Sequence, residues 1–171
     1  IKQIQTRGSK GIILDLRNNP GGYLSAAIEM ASEWVTSGVV VSEKGMDGQN
    51  NVHETQAPHL LSGIKTIILI NKGSASASEI VAGALQDTKN AILIGEQTYG
   101  KGSVQDFETF PDGSALKLTV AEWFTPNGRN INKEVVMPDI EIKEDWEKEK
   151  VGEDAVLSKA LEFFDSTTVK W

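Results

Sequence analysis

The chain has 171 residues, a formal net charge of -7 and no cysteine. That length suits one domain with its own core. The acidic balance, without a concentrated basic patch, argues against nucleic acid as a partner. The lack of thiols excludes disulfides, thiolate metal sites and cysteine nucleophiles. No apolar run approaches the roughly 20 residues of a membrane span, and no leader peptide is visible.

The opening IKQIQTRGSKG reads as the tail of a helix stopping at Gly8, and a first residue of Ile suggests a piece of a longer protein. GIILDLR, 11–17, is a continuous apolar run with branched residues, the pattern of a strand covered on both faces. NNPGG ends it. Leu24, Ala27, Ile28, Ala31, Trp34 and Val35 then recur at helical spacing within 23–36. VVVSEKG, 39–45, and NNVHETQ read as paired strands around the turn MDGQNN. KTIILIN, 65–71, is a second buried strand, followed by GSASA and a helix, SEIVAGALQDTKN; NAILIGE, 90–96, is a third strand. This alternation predicts an α/β fold with a mainly parallel central sheet. After Gly102 the period becomes two, and SVQDFETF, PDGS and ALKLTVAEWFT form a hairpin with Asp-Gly in its turn. PNGRN is another turn, VVMPDIEI a short edge segment limited by Pro138, KEDWEKEKVGED a solvated surface, and DAVLSKALEFF a closing amphipathic helix.

Three stretches carry candidate chemistry. GEQTYGKGSVQ, Gly95–Gln105, looks at first like a phosphate loop, but Gly102 stands where a magnesium-binding Ser or Thr belongs, and a strand follows instead of a helix. Lys101 therefore needs another role. NKGSASASEI, Asn71–Ile80, puts serines at a strand-to-helix corner, where orphan N–H groups and the helix dipole favour negative charge. Ser76 with Glu79 also reads as a capping box, and Ser74 and Ser78 stay open as alternative nucleophiles. The two histidines, His53 and His59, have no accompanying acidic motif and read as surface residues. A lysine can serve as base for a serine if burial lowers its pKa from about 10.4. Gln105, four residues past Lys101, is placed to orient the amine without adding charge if the segment curls. The third stretch, NNPGG, is either a plain turn or a turn whose glycines leave an N–H exposed toward a developing oxyanion.

In this order, GIILDLRNNPGG, KGSASASEI and GEQTYGKGSVQ resemble the C-terminal-processing peptidases, also called tail-specific proteases, from Gly11 to the FTPNGRNI and PDIEI segments. The resemblance implies a ClpP/crotonase-like α/β core and a serine peptidase with a Ser/Lys pair. It makes Ser76 the nucleophile, Lys101 the general base and Gln105 its orienter. The N–H groups of Ala77 and of Gly21 or Gly22 would form the oxyanion hole, and Glu79 matches the family's acidic residue. No metal or organic cofactor is implied. Substrates would be protein or peptide chains cut near apolar C-terminal tails, in the bacterial cell envelope or an equivalent exported compartment. The 171 residues are expected to be one peptidase core of a longer protein, without its PDZ domain or N-terminal helical region. INKEVVMPDI departs from the family, which tends to carry a glycine-rich turn before Pro-Asp. Three rivals are a non-catalytic relative binding a hydrophobic ligand, an acyl-CoA enzyme that would leave Lys101 and Gln105 unexplained, and a silent isolated core.

Overall fold

Residues 1–56, 58–143 and 153–165 are described by the computed structural model, so most of the acidic run KEDWEKEKVGED lies outside the described residues. In chain order they form α1 (Lys2–Thr6), β1 (Ile12–Asp15), α2 (Leu24–Ser32), β2 (Val39–Gly45), β3 (Asn50–Glu54), β4 (Thr66–Ile70), α3 (Ala77–Asp87), β5 (Ile92–Gly95), β6 (Ser103–Thr109), β7 (Ala115–Phe124), α4 (Ile131–Glu134), β8 (Ile140–Glu141) and α5 (Ala155–Asp165).

TIILI, the most apolar run of the chain, becomes the inner strand β4, buried along its whole length. It pairs in parallel with β1 and β5, and β8 continues the sheet beyond β5. Side chains alternate across a strand, and the core divides accordingly. Ile68, Ile70 and Leu93 join the cluster formed with α2 and α3, while Ile67, Leu69 and Ile94 meet Val156 and Ala160 of α5. Each such fully buried side chain contributes about 1.5–3 kcal/mol. The expected α/β fold is therefore present, with helices on both faces of a parallel sheet.

GIILDLR is covered on both faces as expected, Ile12 and Leu14 packing on one cluster and Ile13 on the other, but β1 is an edge strand with one neighbour and is only half-buried. α2 is shorter than the apolar spacing suggested. Trp34 and Val35 are buried just past its end, and Trp34 Nε1 donates to Thr66 Oγ1 at 2.7 Å.

The hairpin is not a separate addition. β7 pairs with β2, giving a second, antiparallel sheet in the order β3-β2-β7-β6. Of β7 only Ala121 and Trp123 are fully buried, and the outer ribbon leaves Phe107 62% and Leu118 52% exposed. INKEVVMPDI forms α4, capped by Asn130, then a corner at Val135 with φ 32°. α5 is fastened from the other side. Arg17 donates from Nη1 to Asp154 Oδ1 at 3.0 Å and from Nη2 to Asp154 Oδ2 at 2.8 Å, while also gripping Asp15. The Arg17 hydrogen bond holds the Asp154 carboxyl below its usual range, outweighing partial burial.

Candidate active site

The loops leaving β1 and β4 are stitched together before they reach Ser76. Asn71 Oδ1 accepts the N–H groups of Asn18 and Gly73, each at 2.9 Å. Ser74 Oγ accepts the Asn71 N–H at 3.0 Å and donates to the Leu16 carbonyl at 2.8 Å. A fully buried hydroxyl committed in both directions is structural, which removes Ser74 as a candidate nucleophile. Ser78 is buried as well and lines a narrow cleft.

Ser76 stands at the corner itself, with φ 56° and ψ -119°, immediately before the first residue of α3. A side-chain-bearing residue rarely adopts such a backbone, at a cost of about 1–3 kcal/mol, and it persists only where neighbours over-determine it. Here the capping box with Glu79 is present, and Glu79 Oε2 accepts the Ser76 N–H at 2.9 Å.

Glu79 does more than cap. Its side chain is 0% exposed, and its two oxygens take four donors. Oε2 also accepts the Lys101 N–H at 2.9 Å; Oε1 accepts the Gly100 N–H at 2.7 Å and the Thr98 hydroxyl. One oxygen atom thus holds the backbones of Ser76 and Lys101 together. This satisfies a buried carboxylate that would otherwise be costly.

The NNPGG turn arrives at the same place. Gly21 has φ +97°, and a Cβ there would lie 2.6 Å from Ala75 O, 2.7 Å from Ala77 N and 2.9 Å from Ser76 Cβ. Only glycine fits. The Gly21 N–H donates to Asn19 Oδ1 at 2.9 Å, so it is occupied within the turn, whereas the Gly22 N–H has no partner among the described residues. Ala77 opens α3, where an N–H has no carbonyl one turn back. The adjoining cleft, about 150 Å³, is lined by Leu16, Ala27, Met30, Ala77 and Val81 beside the two glycines.

The remaining predicted residues are less enclosed. Lys101 is exposed, where the sequence reading looked for a buried amine. The glycines on either side press against the 131–136 segment and leave the side chain at the rim. Gln105 lies on β6, also exposed, directly after a pairing irregularity at Val104/Gln105. The histidines are half-buried rather than surface residues. His53 Nε2 sits 2.7 Å from Glu43 Oε1, and His59 Nδ1 lies 2.6 Å from the Ser32 carbonyl oxygen; neither pairs with Ser76 or Lys101. No cluster of metal-ligating side chains occurs among the described residues. Sequence reasoning missed Asn19, Asn71 and Thr98, whose partners lie on other elements and leave no local pattern.

Comparison with known proteins bears on this arrangement. The model of peptidase family S41 matches residues 1–142. The carboxy-terminal processing protease CtpA of Bacillus subtilis is 40% identical over 141 residues, covering 82% of this chain and 30% of the relative. A carboxyl-terminal-processing protease of Picosynechococcus sp. is 42% identical over 139 residues, 81% of this chain and 33% of the relative. Among solved structures, a photosystem II D1 C-terminal processing protease superposes with a TM-score of 0.78 at 37% identity, over 82% of this chain and 36% of that one. The chain spans about a third of the length of these relatives.

Proposed function

The chain belongs to peptidase family S41, the carboxyl-terminal-processing serine proteases, and on that premise we propose that it is a catalytic core cutting protein chains near their C-termini. Ser76 attacks the scissile carbonyl. Lys101, as the neutral amine, takes the serine proton and later gives it to the leaving amine; water then releases the acyl group from Ser76. Gln105 orients the lysine. The N–H groups of Ala77 and Gly22 face the developing oxyanion, with Gly21 shaping the turn. The observation that carries this reading is the shared Glu79 oxygen, which holds the strained Ser76 corner and the Lys101 backbone side by side.

The narrow apolar cleft beside Ala77 suits a small apolar substrate side chain. Because Lys101 is exposed, a substrate chain lying across the rim supplies the cover its amine needs, and the same exposure favours a weakly active core when this chain stands alone. Apolar C-terminal tails as substrates, and a site of action on the exported side of a bacterial membrane, rest on the family kinship. No described helix is long and apolar enough to cross a membrane.

The test is incubation with an unstructured protein ending in an apolar tail. Ser76→Ala is expected to lower cleavage at least about a thousandfold. Cleavage that survives this change would sink the assignment.

A further inference from the structure

Thr98 lies in the middle of Gly95–Gln105, yet the chemistry above leaves it unused. Its side chain is 1% exposed. A threonine hydroxyl can donate once and also accept, and here it does both. Oγ1 donates to Glu79 Oε1 at 2.5 Å and accepts the Val136 N–H at 2.9 Å. The Thr98 N–H in turn donates to the Val136 carbonyl at 3.0 Å. The hydroxyl therefore bridges the first turn of α3 to the segment that follows α4.

The lysine loop runs between those two walls. A Cβ on Gly102 would lie 2.1 Å from Asn132 N, and one on Gly100 would lie 2.8 Å from Val135 Cγ1. Glu79 forms the opposite wall, and its geometry gives the hydroxyl leverage. A carboxylate is a rigid planar fork, so whatever fixes Oε1 also fixes the rotation that places Oε2. Oε2 is the atom that takes the N–H groups of both Ser76 and Lys101. Valine would fill the same volume as threonine. It would leave the Val136 N–H unpaired and leave Oε1 held by the Gly100 N–H alone, so the carboxylate is fixed by three donors instead of four.

We propose that Thr98 is a positioning residue: its hydroxyl, held between Glu79 and the Val136 N–H, sets the orientation of the Glu79 carboxylate and so the placement of the Lys101 backbone against Ser76. The proposal rests on the reading of Ser76 and Lys101 as the reacting pair.

The test uses the full chain as wild type, Thr98→Val, Thr98→Ser and Ser76→Ala. Steady-state cleavage of a quenched peptide with an apolar C-terminus is measured together with amide hydrogen exchange by NMR. Thr98→Val is expected to lower kcat at least about tenfold with KM changed less than about threefold, and Thr98→Ser to recover most of kcat. Exchange at Gly100 and Lys101 should quicken at least about tenfold while Ile67–Ile70 of β4 stays protected. Unchanged kcat in Thr98→Val, no rescue by serine, or exchange that quickens equally across β4 would overturn the proposal; the last is the mark of a merely structural hydroxyl. If Thr98→Val does not fold, the wild-type hydroxyl proton decides. A Thr98 proton slow enough to observe supports the bridge, and one exchanging at the rate of solvent-exposed hydroxyls overturns it. Should cleavage prove absent or independent of Ser76, the Ser/Lys reading has failed by itself. Exchange at Gly100 and Lys101 then still decides the bridge, selective loss of protection in Thr98→Val supporting it and no change overturning it.

Discussion

Around Ser76 the supporting side chains of Asn71, Ser74 and Glu79 are buried and matched to partners, whereas at Lys101 the backbone is held and the side chain is exposed. The serine corner is built by Asn71, Ser74, Glu79 and the close approach of Gly21, each fixed by hydrogen bonds or by contact. The lysine side chain reaches solvent, and Gln105 lies on a ribbon with exposed apolar residues on its strands. Oxyanion stabilisation depends on donors that do not move during the reaction, so a rigid serine side is what that role requires. A proton carrier tolerates motion so long as it comes within reach when substrate is bound. On the proposed reading, this contrast would give pre-organisation to one half of the site and completion by substrate to the other.

Substitutions can break this contrast in graded steps. Glu79→Ala should have the largest effect, because it strands four donors and empties a buried position: a loss of more than about 3 kcal/mol in denaturant unfolding, with no measurable peptidase activity. Gly21→Ala comes next. The added carbon meets Ala75 O at 2.6 Å in a backbone region hostile to side chains, so about 2–3 kcal/mol should be lost in the same measurement. Lys101→Ala should instead leave stability within about 0.5 kcal/mol while abolishing cleavage, since an exposed side chain packs little. A large stability loss in Lys101→Ala would erase the contrast.

The mildest effect is on pH. Because the Asp154 carboxyl titrates below its ordinary 3.8 in the fold, its pairing with Arg17 contributes stability above that value and loses it as pH falls through the lowered one. The protection factors of α5 amides, exchange rates corrected for their intrinsic pH dependence, should therefore be constant from about pH 5 to 8 and fall below about pH 4, before those of β4 do.

The parallel layer was legible because its signals are local. TIILI is apolar throughout, and a strand covered by helices on both faces needs nothing more. GIILDLR carries a similar signal but lies at the sheet edge, and composition alone does not say how many neighbours a strand has. The Ser76 corner was legible in part for the same reason, since Ser76 and Glu79 of the capping box are close in sequence, whereas Gly21 reaches the corner from a distant loop. Lys101 and Thr98 were harder. Whether a lysine is covered depends on how the hairpin that starts at Ser103 folds and on what the distant 131–136 segment does, and Thr98 makes its contacts only when Glu79 and Val136 arrive from separate elements. The short α4 was hidden because INKEVVMPDI has neither a long apolar period nor a turn glycine, and Asn130 caps it unannounced.

The backbone angle at Ser76 has a consequence for the stability ceiling of this chain. Glycine would occupy φ 56° and ψ -119° without strain and would give up only a few tenths of a kcal/mol in capping. Ser76→Gly should therefore melt higher than the wild type, by the few degrees that about 1 kcal/mol confers on a domain of this size, while losing all cleavage. Selection for heat resistance alone would drift toward that dead variant. If Ser76 is the proposed nucleophile, the serine at this corner answers a demand that thermal stability does not make.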